Sequence, residues 1–351
     1  MLKGPHRKGV RPRAGRRLPV VLLMFFLQAV YGQTASKQSA APLYELVELP
    51  LRPLSISNSG WVAGATYDQH AATWNTRAGL YQIPLPSEFS LSEGTSINSR
   101  GEAAGTASTA DSSRRSAFVL RQSKVVFLTG AQARADSING EGAIVGQAIP
   151  PGGTAARPVL WKNGSLIDLK ICCAGVARSI NSQGMIVGDT YDQAGRYHAF
   201  VWDAAHGAHL LDVPGEEYSS ALVVSNSGAI IVNATPGGLF LYFGGKLEPL
   251  DIPKGTPRAM NKDGVVVGSF GPGPEAQRAF VWDKVHGMRN LNTLISANSD
   301  WTLEVATGIN DRGEIVGWGD HAGTENAGFL LRVRGEGKEI VPAGNPNRSA
   351  N

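Results

Sequence analysis

"SINSQGMIVG", residues 179–188, opens with polar, turn-forming residues and ends in an apolar run closed by a glycine. Close copies stand at 55–64 ("SISNSGWVAG"), 96–105 ("SINSRGEAAG"), 137–146 ("SINGEGAIVG"), 224–232 ("VSNSGAIIV"), 260–268 ("MNKDGVVVG") and 309–317 ("INDRGEIVG"). The first glycines of these corners, Gly60, Gly101, Gly142, Gly184, Gly228, Gly264 and Gly313, are spaced by 41, 41, 42, 44, 36 and 49 residues. A period of about 42 residues kept over most of the chain marks a repeat architecture, in which each unit buries its apolar face only against its neighbours.

The corner follows from turn chemistry. Asn98, Asn139, Asn181, Asn261 and Asn310 stand at the first turn position, where a short polar side chain accepts a hydrogen bond from the backbone ahead. The glycine three residues on takes a positive φ without steric cost. In the first and fifth units Ser57 and Ser225 replace the asparagine, and a hydroxyl can make the same bond. The corner therefore reads as scaffold rather than as a ligand site.

After each corner comes a short apolar strand, usually closed by a glycine that signals a bulge or a close backbone approach. A variable loop leads to a second apolar run: "AATW" (71–74), "AFVL" (117–120), "PVLW" (158–161), "AFVW" (199–202), "LFLYF" (239–243), "AFVW" (279–282) and "GFLL" (328–331). A turn such as "KNG" or "AAHG" then gives a fourth segment, as in "SLIDLK" (165–170), "HLLDVP" (209–214) and "KLEPLDIP" (246–253). Four short strands per unit with no helical period predict an all-β fold, a seven-bladed β-propeller of about 42-residue four-stranded repeats over residues 43–342. Two segments compete to complete the last blade, "YELVELP" (44–50) and "KEIVP" (338–342). The N-terminal one is expected to do so, because joining the chain ends removes exposed sheet edges.

The "IN-x-x-G-x-IVG" corner and "HAFVW" at 198–202 closely resemble the HAF-repeat family of bacterial exported proteins, over about residues 50–332. The resemblance implies export and a repeat-built β fold, and it supplies no catalytic residues. The fifth unit departs most, with Ser225 and Val232 in place of Asn and Gly. The Trp202-Asp203 and Trp282-Asp283 dipeptides are similar to those of WD-repeat propellers, but the upstream Gly-His of that family is missing.

Residues 1–17 carry seven Lys/Arg and run into the apolar Leu18–Val30, which is the layout of a secretory signal peptide over residues 1–32 with cleavage after Gly32. A Ser/Ala/Gln-rich linker (33–42) and a disordered tail (343–351) flank the propeller. Without those seven cations, 26 basic residues face 29 acidic ones, so the basic character of the whole chain gives no reason to expect a nucleic-acid partner. The expected product is a secreted or periplasmic monomer with no stable membrane insertion after signal cleavage. Cys172 and Cys173, the only cysteines, are adjacent. They are either a strained vicinal disulfide or two buried thiols, and disulfide geometry favours the thiols.

The sequence contains no G-x-S-x-G, no H-E-x-x-H, no phosphate loop and no Cys/His pattern with metal-ligand spacing. No catalytic residue, metal or cofactor is therefore assigned. The expectation is a non-enzymatic binding scaffold for an anionic polysaccharide or protein partner. The alternative is a polysaccharide-active hydrolase or lyase with its site at the channel mouth.

Candidate binding residues fall into two groups. Arg178 and Arg258 are counted among the arginines of the variable loops, on the face opposite the corners, and share one repeat position, two residues before the corner's Ile or Met, which Asp136 holds in the third unit; if the first strand lines the channel, these lie near its mouth. Variable loops hold Tyr67, Asp68 and His70, Tyr191 and Asp192 in a second "TYDQ", and His321. His206 and His286 occupy one turn position and read as solvated turn residues, and Trp74, Trp161, Trp202 and Trp282 read as blade-packing residues. Trp61, Trp301 and Trp318 fall outside that series.

Overall fold

A computed structural model describes residues 43–334, apart from 172, 212, 274 and 275. The expected signal peptide, linker and tail, the "KEIVP" segment and Cys172 lie outside the described residues.

Among the described residues, seven four-stranded antiparallel sheets account for the strands. Blades 1 to 6 are each one continuous stretch of chain. Blade 7 is composite: Trp301–Ile309, Ile315–His321 and Thr324–Val333 are completed by the N-terminal strand Tyr44–Leu49, which pairs antiparallel from Tyr44↔Val333 to Leu49↔Gly328. The expected closure by the N-terminal segment is what forms. Seven buried clusters lie between adjacent blades, such as Val187, Ala199 and Val201 of blade 4 against Ala221, Ile230 and Val232 of blade 5. Trp161 is fully in such a cluster, and Trp74, Trp202 and Trp282 pack against others from the side.

The fourth strands are shorter than the sequence suggests. In blade 4 the strand is Gly207–Leu210, after which Leu211 and Val213 turn into the core between blades 4 and 5. Leu211 and Val213 of "HLLDVP" therefore serve that junction rather than the sheet, while Leu210 stays in the strand.

The glycine closing each "IVG" run has a steric cause. A Cβ on Gly188 would stand 1.9 Å from the Val176 carbonyl oxygen and 2.9 Å from the Phe200 ring. The cause is a β-bulge in the first strand of each blade, which pushes a carbonyl towards the second strand. In blade 4 pairing slips between Ala177 and Ser179, leaving Arg178 as the bulged residue. Blade 5 has Val232 in place of the glycine, and its cross-strand neighbour Phe240 is only partly buried, whereas Phe118, Phe200, Phe280 and Phe329 are fully buried over their glycines.

Candidate channel site

The first strands of all seven blades line a central cavity of about 430 Å³ at the corner end of the ring. The residues that bulge into it are equivalent around the ring: Leu54, Thr95, Asp136, Arg178, Leu222, Arg258 and Thr307. A bulge re-aims one side chain out of the strand's alternation, and here it aims one per blade into the cavity. Asp136, Arg178 and Arg258 therefore come together on one ring, as their repeat position suggested. They stand on strands rather than in the variable loops, and the cavity opens among the corners.

The three differ in what holds them. Asp136 is gripped by Arg134, with Nη2 at 2.8 Å and Nε at 3.2 Å. Burial dominates its titration and pushes the carboxyl up to about 6, against the opposing pull of Arg134 and Arg178. Arg178 donates from Nε to Asp189 of the second strand, a buried carboxylate that also accepts from Ser220 Oγ at 2.8 Å. Arg258 has no hydrogen-bond or ion-pair partner among the described residues. Its side chain is exposed, while the surrounding walls lower its pKa by desolvation; arginine nonetheless stays a cation.

Below the bulge ring lies a half-ring of hydroxyls, Ser55, Ser96, Ser137 and Ser179, continued by Val223, Ala259 and Gly308. Three of these serines accept from the next blade's backbone: Ile138 N to Ser96 at 3.1 Å, Ile180 N to Ser137 at 3.4 Å and Val224 N to Ser179 at 3.2 Å. The corner asparagines come next. Asn139 Oδ1 accepts from the backbone of Glu141 and Ala143, both at 3.0 Å, which is the expected turn bond. Its Nδ2 has a second role that the sequence did not disclose, donating to the next blade.

The loop candidates lie at the opposite end and do not form one site. Tyr67 is a latch, accepting at its hydroxyl from Gly328 N (3.2 Å) and donating to the Leu49 carbonyl (3.1 Å), so it ties blade 1 to blade 7. Asp68 stands 3.7 Å from His70, and a hydrogen bond from Thr66 holds its carboxyl below the usual range. Asp192 organises its own loop, accepting from Arg196 N at 2.9 Å, Arg196 Nε at 2.8 Å and His198 Nε2 at 3.2 Å, and these bonds, that of Arg196 N first, hold its pKa well down. Tyr191 packs on Tyr197. His321 stacks on Trp301 with centroids 4.4 Å apart and pairs with Glu48 at 3.2 Å. His206 and His286 close their turns on Asp203 and Asp283, which gives the Asp of each "WD" pair a local turn-capping job.

Comparison with known proteins reaches part of the ring by sequence and most of the chain by fold. A family of proteins of unknown function, DUF3466, matches residues 171–327, which run from blade 4 into blade 7. None of the curated proteins matches the chain in sequence. Among solved structures, the β-propeller domain of the Trilobed protease from Pyrococcus furiosus is similar at 12% identity and TM-score 0.52, covering 87% of this chain and 100% of that one. Virginiamycin B lyase from Staphylococcus aureus gives 11%, TM-score 0.54, and 83% and 100% coverage. These likenesses show the propeller fold. The Trilobed propeller has an open velcro topology, whereas here the N-terminal strand closes the last blade.

Proposed function

We propose that this chain is an exported, non-enzymatic binding scaffold that takes the acidic group of a polysaccharide or protein partner at the corner end of its channel. Arg258 carries the reading. A guanidinium on a bulge, in a cavity of about 430 Å³ and without a carboxylate of its own, offers its donor fork to an incoming anion. Arg178 adds positive charge nearby but is held by Asp189. Membership of the HAF-repeat family, export, a monomeric state and the lack of a nucleic-acid partner or cofactor belong to the same proposal. Among the described residues no helix is long and apolar enough to cross a membrane. The hydrolase or lyase reading has one observation in its favour: Asp136, a channel-wall carboxyl pushed up to about 6, titrates where an acid or base is useful.

Calorimetric titration of the purified protein with polygalacturonate and with dextran sulfate tests the scaffold. Binding that weakens with salt is expected, and Arg258→Ala is expected to weaken it about tenfold, the loss of roughly 1.4 kcal/mol, with an unchanged thermal midpoint. Arg178→Ala, by contrast, leaves Asp189 buried on Ser220 alone and lowers the midpoint. Equal affinity for wild type and Arg258→Ala overturns the assignment. Release of new reducing or unsaturated ends favours the enzyme reading.

A further inference from the structure

At the variable-loop end, blades 4 and 5 share an aromatic cluster that the channel does not use. Tyr191 ends the second strand of blade 4 (Ile186–Tyr191), Tyr197 opens the third (Tyr197–Asp203), and the two are direct cross-strand partners. Tyr218 opens the first strand of blade 5. Ring centroids are 6.3 Å apart from Tyr191 to Tyr197 and 5.2 Å from Tyr197 to Tyr218. Tyr191 is 43% exposed. None of the three hydroxyls has a hydrogen-bond partner among the described residues, whereas Tyr67, in the first copy of the same "TYDQ" loop, has its hydroxyl fully engaged in ring closure. The repeat has thus released one tyrosine from a structural task and set two more beside it.

The surrounding charges identify what the cluster takes. Arg196 and His198 are both held by Asp192, at 2.8 and 3.2 Å, so neither is a spare cation. Glu216 accepts from Gly237 N at 2.7 Å, and Glu217 directly precedes Tyr218. An anion would meet carboxylates there. We infer that this cluster is a stacking platform for a neutral, hydroxyl-rich ring, a sugar unit of a glycan chain. The C–H face of a pyranose lies on the open Tyr191 ring, and its hydroxyls meet the phenol groups, which can donate and accept. Rigid aromatic faces with few polar groups in a variable loop are how such sites gain area at low entropy cost. A proline-rich peptide asks for an aromatic-lined groove, and the tilts of 70° and 45° between these rings leave single faces rather than a slot.

The proposal does not depend on the anion site at Arg258. Saturation-transfer NMR on the purified protein, with maltohexaose, cellohexaose and chitohexaose as probes and a proline decamer as the competing class, tests it. At least one hexasaccharide is expected to bind, and Tyr191→Ala and Tyr218→Ala are each expected to weaken it about tenfold. Tyr197→Phe keeps the ring, loses the hydroxyl and weakens it less, while Arg258→Ala leaves it unchanged. Tyr191 is half in solvent at a strand end, so its variant folds and carries the test even if Tyr218→Ala does not. Three sugars that fail to bind, a sugar that binds Tyr191→Ala as well as wild type, or Tyr191-dependent binding of the proline decamer alone each overturn the inference.

Discussion

Asn139 donates from Nδ2 to the main-chain carbonyl of Asn181, 3.1 Å away and one blade further round the ring. Asn98 does the same to Asn139, Asn181 to Ser225, Asn261 to Asn310 and Asn310 to Ser57. One amide therefore caps its own turn with its oxygen and staples the next blade with its nitrogen. The shorter serines here do only the first. Ser57 and Ser225 keep the bond from the residue four on, at 3.1 Å each, but send no donor to the next corner. Asn139→Ser is therefore expected to cost about 1 kcal/mol, one net hydrogen bond, with the local turn preserved. Ser225→Asn is expected to install the missing staple between blades 5 and 6 and to stabilise by about 0.5–1 kcal/mol. Urea midpoints of the two variants decide the matter, and an Asn139→Ser protein as stable as wild type would remove the staple from the energetics.

Two glycines four residues apart, Gly184 and Gly188, separate conformation from space. Gly184 has φ +83° with nothing within 4 Å of a new Cβ, so Gly184→Ala carries only the left-handed strain, about 1–2 kcal/mol. A methyl on Gly188 would meet the Val176 carbonyl at 1.9 Å, and the bulge that aims Arg178 into the channel would have to move. Gly188→Ala is expected to cost more than about 3 kcal/mol, at the high end for overpacking. Thermal unfolding of the pair should show a small and a large shift in that order; equal shifts would mean that the bulge yields easily.

Much of this fold was legible because its determinants are local. The turn glycines and the Asn acceptors act within five residues, so "SINSQGMIVG" announces them, and the closing glycine gave notice of the bulge. The Nδ2 staple was not legible, since its acceptor lies a whole repeat away, 42 residues on for Asn139. Arg178, Arg258 and Asp136 share one repeat position and line one cavity, but counting strands could not tell that a bulge, rather than a loop, presents them. Which of them is already paired depends on Asp189 and Arg134, contacts made by tertiary packing. Tyr197 was missed, although "TYDQAGRY" (190–197) is a hairpin whose symmetry pairs it with Tyr191. Tyr218 has no such signal, because it arrives from the next blade.

Asp136 gives the channel a pH dependence of unusual sign for a carboxylate. Its pKa rises from the ordinary 3.8 to about 6 on folding, so between those values the native state holds a proton that the unfolded chain has released. Stability from this group is therefore present at low pH and is lost as pH rises towards about 6, by at most about 3 kcal/mol for a shift of this size. Arg134 and Arg178 pull the other way, and Glu93 adds to the rise. Carboxylates such as Asp111, held at about 2 by Thr109 and Ser113, contribute the opposite slope only at more acidic pH. Subtracting the urea midpoints of Asp136→Asn from those of wild type across pH 4–8 isolates the effect: the difference should fall between about pH 4 and 6 and then level off. The same proton links to binding. Below about pH 6 the neutral carboxyl no longer offsets Arg134 and Arg178, so polygalacturonate, still ionised at pH 5, should bind more tightly at pH 5 than at pH 7 in wild type and equally at both in Asp136→Asn. A flat difference curve would show that Asp136 titrates as an ordinary surface carboxylate and has no hold on the channel's charge.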